Sequence, residues 1–269
     1  MGHKKRRLEN FLRTHPACCY CGGETRAETQ DHWPPRAFFE GRKWPAEFVF
    51  PACRACNERT SRLEGMFALL CRMGTPIHNV QTQQDLRLLF EGQRQRHPAV
   101  LQSLSLTANE KRSLLRQSGR SAPRGVPYRD IPITRIAGDE ALHILETCLQ
   151  KLLLSLHYRH SGAILPKTGV GFMGWIGNAM PIPDETIIDL PVKLPRLELP
   201  KFQRHDISHQ FSYRYTISKD RSATGFYINL GNTFGVFGFL CSDPSQLSDP
   251  SAHSMTRFTA FQAAPAQGS

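Results

Sequence analysis

Two closely spaced cysteine pairs are the clearest chemical feature of this sequence. Cys18 and Cys21 form the first pair and are followed by two glycines; Cys53 and Cys56 form the second. Two residues between paired thiolates allow both sulfurs to reach one tetrahedral ion at about 2.3 Å. The glycines permit the tight turn that such a pair requires. The four cysteines therefore predict a structural zinc site, with Cys19 as a spare thiol or as an alternative ligand to Cys18.

A second motif lies between the cysteine pairs. Asp31 and His32 open the segment DHWPPRAFF, and the second pair lies within PACRACNERTSRLE, where Asn57 follows the last cysteine. In these residues the chain resembles the HNH endonuclease superfamily, and more closely its bacterial members with a His-x-Pro-Pro segment and a Cys-x-x-Cys-Asn helix start. The resemblance covers about residues 17–65, less than a fifth of the chain. It implies a treble-clef, ββα-metal module in which zinc ties the catalytic segments together.

The resemblance also implies a role for each polar residue of the motif. His32 matches the general base, and an imidazole near its free pKa of about 6.5 can take a proton from water at neutral pH. Asp31 and Asn57 match the ligands of a catalytic divalent ion, and their oxygens suit magnesium or manganese. The sequence departs from the family pattern twice: residues 46–50 contain no Asn, and Thr60 stands where many members have His or Lys.

The positive charge of the chain is concentrated in its first half. Residues 1–130 hold 22 Lys and Arg against 12 Asp and Glu, a net charge of +10, whereas the remainder is close to neutral. This asymmetry favours a polyanionic partner, DNA or alternatively RNA. Arg54 and Arg59 flank Asn57 and are candidates for phosphate contacts, with a solvated helix face as the equal alternative. The run Lys4–Arg7 is either a phosphate-contacting arm or a frayed terminus.

The elements that must position these residues indicate an α+β fold. Five segments have helical character, of which the last carries leucines at helical spacing: 8–15, 57–72, 83–96, 107–118 and 139–159. Three later segments contain alternating or continuous aromatic and β-branched residues and are separated by turns: 209–218, 224–230 and 233–241. They predict a C-terminal antiparallel β meander. The chain then divides into an HNH module (1–74), a helical connector (75–130), an α+β domain (131–243) and a disordered tail (244–269).

We expect no membrane association and a cytoplasmic location. No stretch approaches the roughly 20 apolar residues that span a bilayer, and thiols kept reduced for metal binding fit the cytoplasm better than a disulfide framework does. The sequence thus predicts a metal-dependent HNH endonuclease that hydrolyses phosphodiester bonds of DNA. The alternative is a nucleic-acid-binding zinc module with weak or no cleavage. A protein-interaction module would explain the zinc but not Asp31, His32 and Asn57 together.

Overall fold

The computed structural model describes residues 3–74, 79–117, 119, 121–131, 133, 135–136, 138–177, 192–246 and 255–262. Its elements form a mixed α+β fold with antiparallel sheets, as the sequence predicts. Among these residues, no helix combines the length and the apolar character that a membrane crossing requires.

The N-terminal part consists of a helix, a two-stranded hairpin and two short helices. Helix α1 (His3–Thr14) precedes strands β1 (Thr29–His32) and β2 (Val49–Ala52), which pair antiparallel. Helices α2 (Arg54–Ser61) and α3 (Glu64–Arg72) follow. The sequence predicts one helix over 57–72, and this is wrong. A tight hydrogen bond from the N–H of Leu63 to the carbonyl of Thr60 (2.8 Å) interrupts the α-helical ladder between α2 and α3.

Three helices occupy the region predicted as a helical connector. They are α4 (Val80–Arg96), α5 (Pro98–Leu104) and α6 (Ala108–Gln117). The side chain of Asn79 accepts a hydrogen bond from the N–H of Thr82 (2.8 Å) and caps α4. This cap starts α4 a few residues before the predicted position at 83.

Helix α7 (Asp139–Ser161) is the central helix of the molecule. Acidic residues in its first turn and Arg159 in its last turn complement the helix dipole. Gly162 ends the helix in the left-handed conformation, with φ of 71°. Most of the leucines at helical spacing, from Leu145 to Leu156, are buried, so α7 packs as a core helix.

A six-stranded antiparallel sheet covers one side of α7. Its strands are β3 (Val170–Gly177), β4 (Arg196–Glu198), β7 (Phe211–Ile217), β8 (Ala223–Leu230), β9 (Phe234–Cys241) and β10 (Thr256–Phe258). Their order across the sheet is β10-β3-β9-β8-β7-β4. Two further short strands, β5 (Lys201–Phe202) and β6 (His205–Asp206), pair separately. Strands β7, β8 and β9 are the predicted meander, and the prediction of a C-terminal antiparallel sheet is confirmed.

The segment 255–262 differs from the predicted disordered tail. Strand β10 pairs with β3, and Phe258 and Phe261 are buried. Phe258 lies against Gly171, where a side chain would collide with its ring. Composition suggested disorder because the neighbouring residues are Ser, Pro, Ala and Gln, whereas these two aromatic side chains provide enough apolar surface to dock the segment. The rest of the predicted tail, apart from 244–246, lies outside the described residues.

One continuous hydrophobic core joins the N-terminal part to the sheet. It contains residues of the cysteine segment, α3, α7 and strands β7 to β10. At its centre α7 approaches β9 so closely that a side chain at Gly238 would overlap Leu153. The predicted domain boundaries at residues 74 and 130 therefore separate segments of the chain that share one core. As domain boundaries they stay predictions.

Candidate functional site

The four paired cysteines lie together at the start of the hairpin and of α2. The Sγ atoms of Cys18, Cys21, Cys53 and Cys56 are all within 4.8 Å of one another, and all four residues are buried. We call these four atoms the sulfur cluster. A tetrahedron with metal–sulfur bonds of about 2.3 Å has edges of about 3.8 Å. The sulfur cluster therefore has the donor set and the spacing that could hold one zinc ion.

Local backbone structure explains how each cysteine pair is positioned. Gly22 and Gly23 both adopt positive φ (71° and 77°), which turns the chain back after the first pair. The N–H of Tyr20 donates to the Sγ of Cys18 at 3.4 Å. In the second pair, the N–H of Cys56 donates to the Sγ of Cys53 at 3.4 Å at the N-terminus of α2. Amides directed at sulfur stabilise thiolates, which are the form that binds metal.

The thiols of the sulfur cluster interact strongly with one another: contacts with Cys18 and Cys21 raise the pKa of the Cys56 thiol well above its usual range. Hydrogen bonds from the thiols of Cys18 and Cys56 lower the pKa of the Cys21 thiol well below its usual range. A thiolate is thus stabilised inside the cluster. Cys19 is buried but lies outside the cluster, so Cys18 and not Cys19 completes the set. Cys71, Cys148 and Cys241 are also buried and lie outside the cluster.

His32 lies at the end of β1 and lines an open cleft of about 1380 Å³. Its ring stacks on Trp44, with the ring centroids 5.3 Å apart. Burial lowers the pKa of His32 below its usual value, and the positive charge of Arg36 lowers it further. Among the described residues, the imidazole has no hydrogen-bond partner. His32 is therefore a neutral base at neutral pH whose nitrogens are available to a ligand.

The cleft around His32 is positively charged. Arg7 from α1, Arg36 from the DHWPPR segment and Arg159 from α7 line it, whereas Glu47 is the acidic residue among the lining side chains. Arg36 also lies over the ring of Trp44, 3.9 Å from its centroid. Three guanidinium groups against one carboxylate favour a phosphate-bearing ligand. We call this pocket the His32 cleft.

Two of the three arginines that line the His32 cleft, Arg36 and Arg159, were not predicted from the sequence. Arg36 belongs to the motif segment, and its place directly after the two prolines is a signal that could have identified it. Arg159 lies on the central helix and contacts the segment before β2, where its Nη1 donates to the carbonyl of Glu47 at 3.2 Å. No local pattern marks it, because this contact joins distant parts of the chain. Arg7 belongs to the run that the sequence offers as a phosphate-contacting arm.

Asn57 is brought to the His32 cleft, and Asp31 is not. Asn57 lies in the first turn of α2 and lines the cleft. Asp31 is 5% exposed, because neighbouring residues of a strand point to opposite faces and its face is the buried one. Its Oδ2 lies 2.8 Å from the Nζ of Lys151 on α7. The prediction that Asp31 and Asn57 share a divalent ion therefore does not fit this arrangement, because the Asp31 carboxylate already faces a cation.

Arg54 and Arg59 lie on exposed positions of α2 and do not line the His32 cleft. The guanidinium of Arg59 lies over the ring of Phe261, 5.0 Å from its centroid. The backbone N–H of Arg54 donates to the carboxylate of Glu28 at 2.9 Å. Their contacts with nucleic-acid phosphates stay a prediction, and such contacts would be made outside the cleft.

The sulfur cluster thus joins the turn before β1 to the start of α2, and the His32 cleft is lined from β1 and α2 among other elements. The cysteines hold the buried ends of these elements, and His32 and Asn57 face the open side. No protein-family model matches the chain, and no curated protein or solved structure matches it.

Proposed function

We propose that this protein is an HNH-type endonuclease that cleaves phosphodiester bonds of DNA in the His32 cleft. The observation that carries the proposal is His32 itself: a half-buried imidazole with a lowered pKa and unoccupied nitrogens, beside three arginines. The resemblance over residues 17–65 supplies the reaction class. The basic first half of the chain supports a polyanionic substrate, DNA or alternatively RNA.

In the proposed reaction His32 removes a proton from a water molecule whose oxygen attacks the scissile phosphorus. The bond between phosphorus and the 3′ oxygen breaks, and the departing 3′ oxygen takes up a proton from solvent. A neutral imidazole is needed for this step, and the lowered pKa keeps it neutral at pH 7. Arg7, Arg36 and Arg159 attract the phosphodiester and offset the negative charge that develops on its oxygens. Asn57 provides an amide at the same cleft that can orient the phosphate or the water.

The sulfur cluster has a structural part in this proposal. A zinc ion there would fix the hairpin that carries His32 against the helix that carries Asn57, in the treble-clef arrangement that the resemblance implies. The site for magnesium or manganese between Asp31 and Asn57 does not fit the observed arrangement. The mechanism accordingly assigns no step to such an ion.

The direct test is nicking of supercoiled plasmid by the zinc-loaded protein, run separately with magnesium, with manganese and with EDTA. We expect His32→Ala to lower the rate by at least a hundredfold, because general-base catalysis contributes about 10²–10⁴-fold. The matched control is His143→Ala, which removes an exposed histidine of α7 outside the cleft and should nick at the wild-type rate. Equal nicking by wild type and His32→Ala would refute the assignment of the base.

The alternative function is a nucleic-acid-binding zinc module with weak or no cleavage, and the two departures from the family pattern favour it. In that case folded, zinc-loaded protein binds duplex or single-stranded DNA without nicking it. The affinity should fall steeply with salt, since arginine contacts with phosphates release counterions. Replacement of Arg36 and Arg159 by Gln should reduce this salt dependence, whereas Arg87→Gln, an exposed position of α4, should not.

A further inference from the structure

The ammonium group of Lys151 lies in a closed cage of oxygen atoms behind the His32 cleft. Lys151 is fully buried on α7, with a side-chain exposure of 0%. Its Nζ lies 2.8 Å from Asp31 Oδ2 and 2.6 Å from Thr60 Oγ1, and 3.3 Å from Glu64 Oε1. Three oxygens from three different elements, β1, α2 and α3, thus surround one positive charge.

Two aromatic rings complete the surroundings of this ammonium. The Nζ lies 4.3 Å from the ring centroid of Trp33 and 5.4 Å from that of Tyr20, within the range of cation–π attraction. Burial opposes the charge of Lys151, but the negative charges of Asp31 and Glu64 outweigh it and raise the pKa of the ammonium. Lys151 is therefore a buried cation whose charge is compensated by two carboxylates and whose Nζ donates to Thr60 and Glu64, the condition under which such a charge is tolerated.

The cage connects the two elements that carry the candidate site. Asp31 directly precedes His32 on β1. Thr60 lies one turn after Asn57 on α2, and its hydroxyl donates to the carbonyl of Asn57 at 3.3 Å. Lys151 thus contacts both elements on the face opposite to the cleft. A displacement of its side chain would move the strand of His32 relative to the helix of Asn57.

We propose that Lys151 is the permanent counter-cation of Asp31, in place of a divalent ion, and that it positions the strand of His32 against the helix of Asn57. Asp31 is then a positioning residue and not a metal ligand. A divalent ion could reach its carboxylate only by displacing a fully buried ammonium, which would lose its contacts with Glu64 and Thr60. This inference concerns the site of the proposed function, but its first two tests do not need cleavage.

The first test is manganese binding to the zinc-loaded protein, followed by electron paramagnetic resonance. The variants are wild type, Asp31→Asn and the control Glu47→Gln, which changes the acidic residue that lines the cleft. We expect Asp31→Asn to bind manganese within twofold of wild type. Undetectable binding in all three supports the same conclusion, since Asp31 then holds no ion. A tenfold or greater loss of affinity in folded Asp31→Asn alone would overturn the proposal.

The second test is a double-mutant cycle in urea denaturation with Asp31→Asn, Lys151→Met and the combined variant. Lys151→Met alone leaves two buried carboxylates without a cation, so the unfolding midpoint should fall strongly. Adding Asp31→Asn removes one of these charges, and the combined variant should unfold at a higher urea concentration than Lys151→Met. Additive effects of the two changes would contradict the pairing. If Lys151→Met does not fold at all, recovery of a folded combined variant is the supporting result.

The third test distinguishes a positioning role of Lys151 from a purely stabilising role, and it rests on the proposed function. In the folded combined variant, turnover of plasmid should fall at least tenfold while the dissociation constant for DNA stays within threefold. Unchanged turnover would show that the cage only stabilises the fold. If the wild-type protein does not nick DNA, the proposed function fails, and the manganese and urea results still decide the role of Asp31 and Lys151.

Discussion

The imidazole of His32 determines the pH dependence of the proposed reaction. Burial and the charge of Arg36 lower its pKa, and a base is active above its pKa. The acidic limb of the pH–rate profile should therefore lie below about 6.5, the usual value for histidine. Arg36→Gln removes one cause of the lowering, so the pKa should rise and the limb should move to higher pH. Titration of the His32 resonances by NMR measures the same shift without cleavage.

A matched control for this prediction is Arg42→Gln, which removes an exposed arginine outside the cleft. Its titration curve should coincide with that of the wild type. A shift of equal size in both variants would mean that the net charge of the protein, and not the contact with Arg36, governs His32. A shift to lower pH in Arg36→Gln would contradict the assigned cause.

We expect the hairpin and α2 to depend on a zinc ion in the sulfur cluster for part of their mutual position. Cys21→Ser removes one ligand, and Cys19→Ser is the matched control, since Cys19 is equally buried but outside the cluster. We expect Cys19→Ser to retain one zinc per chain and Cys21→Ser to lose it and to unfold the N-terminal segment. Metal analysis and circular dichroism measure both outcomes. Full zinc retention by Cys21→Ser would exclude this cysteine as a ligand.

At the scale of secondary-structure elements, patterns in the local sequence predict the strands and the cysteine pairs around the site well. The spacing of the cysteine pairs indicated the sulfur cluster, and the alternation in 209–241 indicated strands β7, β8 and β9. Both depend on residues close together in the chain. The break between α2 and α3 escaped this reasoning, because residues 57–72 have a continuous apolar periodicity and nothing local marks the turn at Leu63.

At the scale of the whole molecule, strand β10 and the residues after it connect the sheet to the cysteine segment. Phe258 on β10 packs over Gly171 of β3, and the N–H of Phe261 donates to the carbonyl of Tyr20 in the cysteine segment at 2.8 Å. Phe258→Ala should lower the free energy of unfolding by about 3 kcal/mol, since it leaves a cavity in the core. Leu197→Ala, at an exposed position of β4, should change it by less than about 0.5 kcal/mol. Urea denaturation measures both; equal effects would mean that β10 is not part of the cooperative core.

The sequence by itself determined the parts of the site that are close in the chain. Paired thiols with two residues between them predict a metal site by their spacing, whereas the roles of Asp31, His32 and Asn57 are implied by the resemblance to HNH endonucleases. The expectation of a basic, phosphate-binding first half also came from composition alone. The cysteine pairs form the sulfur cluster, and His32 and Asn57 line one cleft, whereas the binding of phosphate stays a prediction.

Only the tertiary structure decided which partner each charged group meets. Asp31 has the sequence context of a metal ligand, but helix α7 brings Lys151 to its carboxylate from a distant part of the chain. The same helix brings Arg159 into the cleft, and β10 covers β3 from a segment whose composition suggested disorder. Charge pairing and core packing act between groups that are close in space, and neither spacing nor periodicity along the chain records such contacts.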